Sequence, residues 1–345
     1  MSYALTDDLE RLARGETLTQ SEAKALLGAL MTGEASEAQI AAVLMALRVR
    51  GETVEEISGA AEAMRALSTP VPTPFEDLID TCGTGGTGHK LFNVSTASAF
   101  VAAEGGARVA KHGNRGMTSA SGSADLLEAA GARLDLTPEA VAECLTQLGV
   151  GFMFAQRHHS AMRYVSPVRQ QLKIRTLFNV LGPLTNPAGA KRQVLGVFDH
   201  RWRQPLAEVL ARLGSTHVLV VHADNGLDEF SPEGVTRYTE LRNGAVQEYT
   251  VTPEQLGLAP TPLAALKADS PEASLALVRG ALAGTGPGTS MVALNAGAAL
   301  YVAGRAASLE EGVGAAGEIL RTGAALKRLE AFAALTQSLA GPAHE

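Results

Sequence analysis

The first 68 residues consist of short runs with helical periodicity separated by glycines. Within 36–49 the apolar side chains recur every three or four residues, so they share one wide helical face that suits either a core or a contact with a second subunit. Capping boxes mark three helix starts. The apolar positions are Ile40, Val43, Leu44 and Leu47, and the boxes are Thr19 with Glu22, Ser36 with Gln39 and Thr53 with Glu56. The pattern predicts consecutive short helices.

From residue 78 onward the pattern changes to short apolar runs that are typical of buried strands, with helical runs between several of them. The strand candidates are 78–80, 107–111, 150–154, 193–198, 218–222 and 291–294, and the helical candidates are 124–131, 137–148 and 205–213. This alternation predicts a mainly parallel sheet with helices on its faces. Two strand-like runs in 235–251 flank Arg242-Asn243-Gly244, which predicts a hairpin.

Proline and glycine positions divide the chain into two predicted domains. Pro70, Pro72 and Pro74 exclude a continuous helix and indicate a hinge. We expect a small helical domain over 1–70 and a larger α/β domain over 75–159 and 191–345. The intervening segment, 160–190, breaks the alternation, and we expect it to return to the N-terminal helices and complete their domain. A substrate cleft would then lie between the two domains.

Charge and cysteine content narrow the class of protein. The net charge of −7 argues against nonspecific nucleic-acid binding. Cys82 and Cys144 form no motif typical of zinc or of a disulfide framework, and reduced thiols fit a cytoplasmic protein. No signal peptide or apolar run long enough to span a membrane is present. We therefore expect a cytoplasmic protein without nucleic-acid or membrane partners.

A glycine-rich loop, Asp80-Thr81-Cys82-Gly83-Thr84-Gly85-Gly86-Thr87-Gly88, follows the first strand candidate. Glycines let backbone amides approach a phosphate, and the helix predicted after Asn93 adds the positive end of its dipole. Gly83, Gly85 and Gly88 also match the dinucleotide fingerprint. That motif opens directly into a helix with an acid about 20 residues on, and neither feature follows here. A plain tight turn is the second alternative, although it needs fewer glycines.

A second polar cluster makes the loop interpretable. The cluster is Lys111-His112-Gly113-Asn114-Arg115, in which the lysine offers a point charge for phosphate and the histidine and asparagine offer directed hydrogen bonds. The alternative interpretation is a solvated polar loop. Together with Asn-x-Ser-Thr at 93–96, His-x-Ala-Met at 159–162 and Gly-Pro-Leu-Thr-Asn-Pro at 182–187, these motifs closely resemble those of the anthranilate phosphoribosyltransferase family, in the same order. The resemblance extends over essentially the whole chain.

The resemblance implies a fold like that of nucleoside phosphorylases and a reaction in tryptophan biosynthesis. The phosphoribosyl group of phosphoribosyl pyrophosphate would pass to the amine of anthranilate, giving N-(5-phosphoribosyl)anthranilate and pyrophosphate. It also implies Mg²⁺ and a homodimer through the helical domain, whose wide apolar face the dimer would explain. No catalytic acid, base or nucleophile is assigned, because the amine is already a neutral nucleophile.

The family's site residues carry over by motif. The phosphoribosyl pyrophosphate site would contain Gly83, Thr84, Gly85, Gly86, Thr87, Leu91, Asn93, Val94, Ser95, Thr96, Lys111, Gly116, Thr118, Ser119 and Ser123. The anthranilate site would contain Gly83, His112, Asn114, His159, Arg169 and Pro183. The metal would be held by Ser95, Asp228 and Glu229.

Several of these assignments also have a physical basis. A guanidinium fork at Arg169 suits a benzoate carboxylate, although an exposed helix cation is the alternative. Asp228 and Glu229 follow a predicted parallel strand, and paired carboxylates suit Mg²⁺, although an acidic surface turn is the alternative. His158 falls outside the His-x-Ala-Met pattern, and we expect it at the surface.

Departures from the family pattern and rival functions complete the analysis. Thr87 stands where the family's loop has an acid, Leu91 where a small or polar residue is usual, Gly116-Met117 where another pair is usual, and Ser160 where proline is common. The rivals are a pyrimidine nucleoside phosphorylase and a relative that binds nucleic acid. This chain lacks the phosphate-loop motif of the phosphorylases, and its net negative charge argues against a protein that binds nucleic acid.

Overall fold

A seven-stranded sheet runs through the computed structural model, which describes residues 5–116 and 120–340. In chain order the strands are β1 (Leu78–Gly83), β2 (Arg108–Gly113), β3 (Val150–Phe154), β4 (Arg192–Gly196), β5 (His217–Ala223), β6 (Thr236–Arg242) and β7 (Ala245–Val251). Their order across the sheet is β3-β2-β1-β4-β5-β6-β7. Strands β1 to β5 are parallel, β6 is antiparallel to β5, and β7 is antiparallel to β6, which confirms the predicted mainly parallel sheet.

Helices cover both faces of this sheet. They are α1 (Leu5–Ala13), α2 (Gln20–Thr32), α3 (Glu37–Arg50), α4 (Val54–Ala66), α5 (Val94–Glu104), α6 (Ser123–Ala129), α7 (Pro138–Leu148), α8 (Ala155–His158), α9 (Ser166–Leu172), α10 (Phe178–Leu181), α11 (Arg203–Arg212), α12 (Pro271–Leu282), α13 (Thr289–Val302), α14 (Leu309–Thr322) and α15 (Ala324–Leu339). Single 3₁₀ turns lie at Ser160–Tyr164, Gly182–Leu184, His200–Trp202, Glu254–Leu256 and Leu263–Leu266. Among the described residues, no helix combines the length and apolar character needed to cross a membrane.

The N-terminal helices begin where their capping boxes predict. Thr19, Ser36 and Thr53 each accept from the backbone three residues on, and the side chain there accepts from the cap's own amide. The helices α2 and α4 cross closely at Gly59, where a Cβ atom would lie 2.2 Å from the carbonyl oxygen of Gln20. Glycine at 59 therefore sets how tightly this pair packs.

Strand alternation divides the interior into two cores. Leu219 and Val221 of β5 face one core, which also contains α5 and the helices α12 to α15. Val218 and Val220 face the other core, which contains α2 to α4 and α11. This second core also takes side chains from 165–184, so the segment after β3 returns to the N-terminal helices. The structure thus has three layers: helices, sheet and helices.

The wide apolar face of α3 lies inside the chain's own core. All four of its apolar residues are at most 2% exposed: Ile40, Val43, Leu44 and Leu47. The face therefore needs no second subunit to explain it. The large hydrophobic residue that α3 leaves in solvent is Val49, which is 80% exposed.

One strand prediction is wrong, and the hairpin prediction is confirmed. Residues 291–294, predicted as a strand, lie within α13, and every residue from Met291 to Val302 is buried. A helix that is apolar on all sides has no stripe by which its period can be recognised. The hairpin β6–β7 turns at Asn243 and Gly244, whose φ angles are 52° and 79°, as a two-residue turn of the I′ type requires.

Gly312→Ala is expected to destabilise the fold. A Cβ atom at Gly312 on α14 would lie 2.3 Å from the carbonyl oxygen of Gly297 on α13, so the two helices would have to separate. We expect urea unfolding to report a loss of about 1–3 kcal/mol in the free energy of unfolding. Gly314→Ala on the same helix meets open space and should change stability by at most about 1 kcal/mol, in the favourable direction. Equal effects of the two changes would contradict this account of the helix contact.

Candidate active site

The glycine loop lies at the point in the sheet where the strand order reverses. β1 has β2 on one side and β4 on the other, and later strands add outward on each side. Ligands of such sheets bind at the carboxyl ends of the strands beside this switch point. β1 ends at Gly83, which pairs with Gly196 at the end of β4. The loop begins there, as Thr84 donates from its backbone to the Gly196 oxygen over 2.8 Å.

Close packing explains why these positions are glycine. A Cβ atom at Gly83 would lie 2.9 Å from the Oδ2 atom of Asp228, and one at Gly196 would lie 1.7 Å from the Asp228 carbonyl oxygen. Gly85 and Gly86 have φ angles of 62° and 81°, which disfavour other residues. The acidic segment and the loop are therefore pressed together at the strand ends.

Asn93 connects the start of α5 to two other segments. Its side-chain oxygen accepts from the hydroxyls of Ser121 and Ser274 at 2.8 and 2.7 Å, and its amide donates to the Ser121 carbonyl. Val94, which was also predicted for this site, is fully buried and packs in the core. Leu91, just before, forms a backbone bridge with Lys267. These contacts fix the helix end that faces the loop.

Lys111 lies beneath the loop and is 2% exposed. Its ammonium group donates to the Thr81 carbonyl and, over 3.3 Å, to the Ser95 hydroxyl. Burial lowers the pKa of Lys111, whereas the charges of Asp80 and Glu229 act to raise it. An ammonium group here is placed to attract phosphate.

The remaining residues predicted for phosphoribosyl pyrophosphate lie in the first turns of α5 and α6 and in the segment after β2. Thr96 donates its hydroxyl to that of Ser123 over 3.0 Å, which joins the two helix starts. The Gly116 amide donates to Asp125 over 2.8 Å. Thr118 and Ser119 lie outside the described residues.

Asp80 is a site residue that the sequence analysis missed. It is 1% exposed, and its two oxygens accept from the His112 amide at 3.1 Å and the Asn186 side chain at 2.8 Å. Burial raises its pKa, and Lys111 and these hydrogen bonds oppose that shift. An acid inside an apolar strand that leads into a glycine loop was the available signal. Asn186 lies within the Gly-Pro-Leu-Thr-Asn-Pro motif, but the sequence analysis assigned no role to it.

Two buried histidines have unsatisfied ring nitrogens. The rings of His112 and His159 have centroids 5.0 Å apart. Nε2 of His112 and both nitrogens of His159 find no hydrogen-bond partner among the described residues. Buried polar atoms are rarely left so, and a polar ligand would satisfy them. Pro183, in the neighbouring 3₁₀ turn, accepts through its carbonyl from Gln193 over 2.8 Å.

The prediction that His158 lies at the surface is wrong. His158 is 2% exposed, and its Nδ1 atom lies 2.8 Å from the Thr69 carbonyl oxygen. The Thr69 amide donates in return to the His158 carbonyl over 2.8 Å. The predicted hinge begins at the next residue, Pro70, so His158 anchors the start of the segment that connects the helices to β1.

Arg169 is a partly buried cation without a carboxylate partner among the described residues. It lies on α9 with its guanidinium carbon 5.5 Å from the centre of the Phe178 ring. Burial lowers its pKa. A partly desolvated guanidinium gains most from an anionic ligand, which fits the predicted carboxylate contact. Asn114 lies in the exposed segment after β2.

Asp228 and Glu229 form a pair of oxygen donors beside the loop. The backbones of Gly85 and Ser95 lie close enough to the carboxylates of Asp228 and Glu229, respectively, to stabilise their charged forms. Burial raises both pKa values, and the Asp228 charge raises that of Glu229 further. No group of three acidic, histidine or cysteine ligands exists among the described residues. Two carboxylates and a hydroxyl fit magnesium, which takes its other ligands from substrate phosphates and water.

Comparison with known proteins decides the family. The chain matches the helical bundle domain of the glycosyl transferase family over residues 7–68 and its a/b domain over 75–326. It is 54% identical to the anthranilate phosphoribosyltransferase of Alkalilimnicola ehrlichii over 329 residues, which cover 95% of this chain and 97% of that protein. The chain belongs to the anthranilate phosphoribosyltransferase family. The enzyme of the same name from Azotobacter vinelandii is also 54% identical, over 95% of this chain and 96% of its own length.

Solved structures of anthranilate phosphoribosyltransferases share the fold. That from Thermus thermophilus superposes with a TM-score of 0.91 at 48% identity, covering 96% of this chain and 99% of its own. That from Saccharomyces cerevisiae, in complex with PRPP and Mg, gives 0.87 at 27% identity, covering 97% and 98%. The family resemblance predicted from the motifs is thereby confirmed.

The buried histidines predict a loss of stability in acid. Burial, with a smaller contribution from His158, lowers the pKa of His159 from 6.5 to about 4. Below pH 6.5 the unfolded chain therefore binds a proton that the folded chain refuses, and stability falls as the pH drops towards 4. Between pH 7 and pH 5, the free energy of unfolding should therefore decrease by about 2 kcal/mol less in His159→Gln than in the unaltered protein.

Urea unfolding at the two pH values measures this difference. His200→Gln serves as the control, because the His200 side chain is 75% exposed, and it should keep the decrease of the unaltered protein. The same decrease in His159→Gln as in the unaltered protein would show that His159 is not held neutral by burial.

Proposed function

We propose that the protein transfers the phosphoribosyl group of phosphoribosyl pyrophosphate to the amine of anthranilate, releasing pyrophosphate, in tryptophan biosynthesis. The observation that carries the proposal is the alternation of two neighbours on β2. Lys111 points to the glycine loop and the start of α5, whereas His112 points to His159 on the other face. The end of one strand therefore separates a phosphate-binding region from a region for a small polar aromatic molecule.

The phosphoribosyl side combines backbone amides, one buried cation and hydroxyls. The glycine loop offers backbone amides that its glycines leave uncovered, and the first turn of α5 lies beside the end of β1, because the Thr81 hydroxyl donates to the Ser95 carbonyl. Lys111 adds a charge that Thr81 and Ser95 hold in position. These groups would stabilise negative charge as it develops on the departing pyrophosphate.

Magnesium fits this side of the site. Asp228, Glu229 and the Ser95 hydroxyl would hold it, and the relative from Saccharomyces cerevisiae was solved with PRPP and Mg. When bound, the ion would supply positive charge to the pyrophosphate. Because burial raises the pKa of both carboxyl groups and the Asp228 charge raises that of Glu229 further, a cation would relieve an existing electrostatic cost.

The anthranilate side would bind an anionic aromatic amine. Arg169 offers its guanidinium to the carboxylate, and the neutral imidazoles of His112 and His159 offer hydrogen bonds without adding charge. A neutral arylamine is already a nucleophile, so orientation is the main requirement. We assign no general base. The helical layer and the α/β layer would together exclude water from the reacting carbon.

Two further expectations complete the proposal. We place the protein in the cytoplasm, where thiols such as those of Cys82 and Cys144, which are unpaired in the structure, stay reduced. The homodimer implied by the family resemblance stays a prediction. Exposed Val49 on α3 is the position at which it would be examined.

Anthranilate consumption, followed by its fluorescence with phosphoribosyl pyrophosphate and Mg²⁺, tests the function. Arg169→Ala should raise KM for anthranilate roughly tenfold to a hundredfold, the contribution of a charge-assisted hydrogen bond, and leave KM for phosphoribosyl pyrophosphate almost unchanged. Arg163→Ala is the matched control, because Arg163 is exposed and donates to Tyr164 nearby. Absence of turnover by the folded, unaltered protein would reject anthranilate as the acceptor, and nucleobases would be screened next.

Removing one carboxylate charge tests the metal site. Glu229→Gln should raise the Mg²⁺ concentration needed for half-maximal activity at least about tenfold, because Mg²⁺ prefers charged oxygen ligands. Activity of both proteins should vanish in EDTA. Glu233 lies in the same segment between β5 and β6, and Glu233→Gln should leave the Mg²⁺ concentration for half-maximal activity unchanged. An unaltered Mg²⁺ requirement in Glu229→Gln would place the ion elsewhere.

A further inference from the structure

Arg175 connects the returning segment to the glycine loop. It lies between α9 and α10, in the part of the chain that packs on the N-terminal helices. Its guanidinium donates to the Gly86 carbonyl and lies over the Phe198 ring, 4.1 Å from the ring centre. The side chain is exposed and forms no ion pair with any described carboxylate. Neither the family motifs nor the reaction as derived above uses this contact.

The loop needs such a contact because it has few others. Gly85, Gly86 and Gly88 all have positive φ angles, and added Cβ atoms at Gly85 and Gly88 would meet nothing. Chain of this kind loses much conformational entropy when it becomes ordered. At the loop's base Thr84 donates to Gly196, and at its far end His89 contacts the Asn225 carbonyl over 3.1 Å. Arg175 contacts the stretch between these points.

Phe198 fixes the geometry of the contact between Arg175 and Gly86. It follows β4, and its backbone amide donates to the Thr84 hydroxyl over 2.9 Å while its ring supports the Arg175 guanidinium. Loop base, ring and guanidinium thus form one connected set. A planar guanidinium can stack on a ring and donate in its own plane at the same time, which an ammonium group cannot do.

We propose that Arg175 is a positioning residue that holds the glycine loop in the shape that binds phosphoribosyl pyrophosphate. The proposal rests on the proposed function for its choice of substrate. By ordering the loop in advance, Arg175 reduces the entropy lost on binding, and it does so from the layer that also carries His159 and Arg169. The anthranilate side and the phosphate side are therefore connected through one exposed side chain.

Kinetics with Arg175→Ala test the assignment. We expect KM for phosphoribosyl pyrophosphate to rise about tenfold, the effect of one hydrogen bond from a charged group, while KM for anthranilate stays within about twofold. Arg175→Lys keeps a donor but loses the stacking, and it should fall between Arg175→Ala and the unaltered protein. Arg163→Ala removes another arginine that stacks on an aromatic ring in the returning segment, and it should change neither KM.

Hydrogen exchange of the ligand-free protein tests the contact without any turnover. In Arg175→Ala, amides of residues 84–90 should exchange about fivefold faster, whereas those of β1 and β4 keep their rates. Unchanged exchange in the loop, or an equal rise of both KM values, would overturn the proposal. If the unaltered protein shows no transferase activity, the proposed function fails, and the exchange rates alone then decide whether Arg175 orders the loop.

Discussion

A carboxylate shielded from water must find partners for both of its oxygens, and much of the site follows from how Asp80 meets this requirement. One oxygen takes the backbone amide of His112, which fixes the register at which β2 presents Lys111 and His112. The other takes the side chain of Asn186, which also donates to the Ala110 carbonyl. Lys111 supplies the balancing charge. The sheet and the returning segment are therefore joined at a buried point.

In the proposed function, different layers of the structure would bind the two substrates. Backbone amides and Lys111 at the strand ends would form the phosphate side, where a rigid chain is valuable because charge develops there during the reaction. His159 and Arg169 come from the segment that belongs to the helical layer. β2 contributes to both sides through adjacent residues, which a strand must direct to opposite faces.

Features set by neighbouring residues could be predicted from the sequence. Capping boxes and the Asn243-Gly244 turn depend on local patterns, and they were found where expected. Features that depend on distant partners were missed or wrong. No residue near Arg175 in the sequence indicates its contact with Gly86, and residues 291–294 showed no helical period because α13 is buried on all sides. His158 is buried next to Thr69, which lies far away in the sequence. Sequence spacing indicates which side chains are available, and tertiary contacts decide which of them meet.

The returning segment has a consequence for how such proteins diversify. His159, Arg169, Arg175 and Pro183 are consecutive features of one stretch of chain between β3 and β4. Under the proposed function, a single recombination event in the gene could therefore exchange most of the side chains that recognise the acceptor, provided that the new segment kept an arginine at position 175 for the glycine loop. Asn186 marks the limit of such an exchange, since any new segment must still supply an amide for Asp80. Under the proposed function, the acceptor-binding segment could therefore change independently, while the donor-binding strand ends are retained.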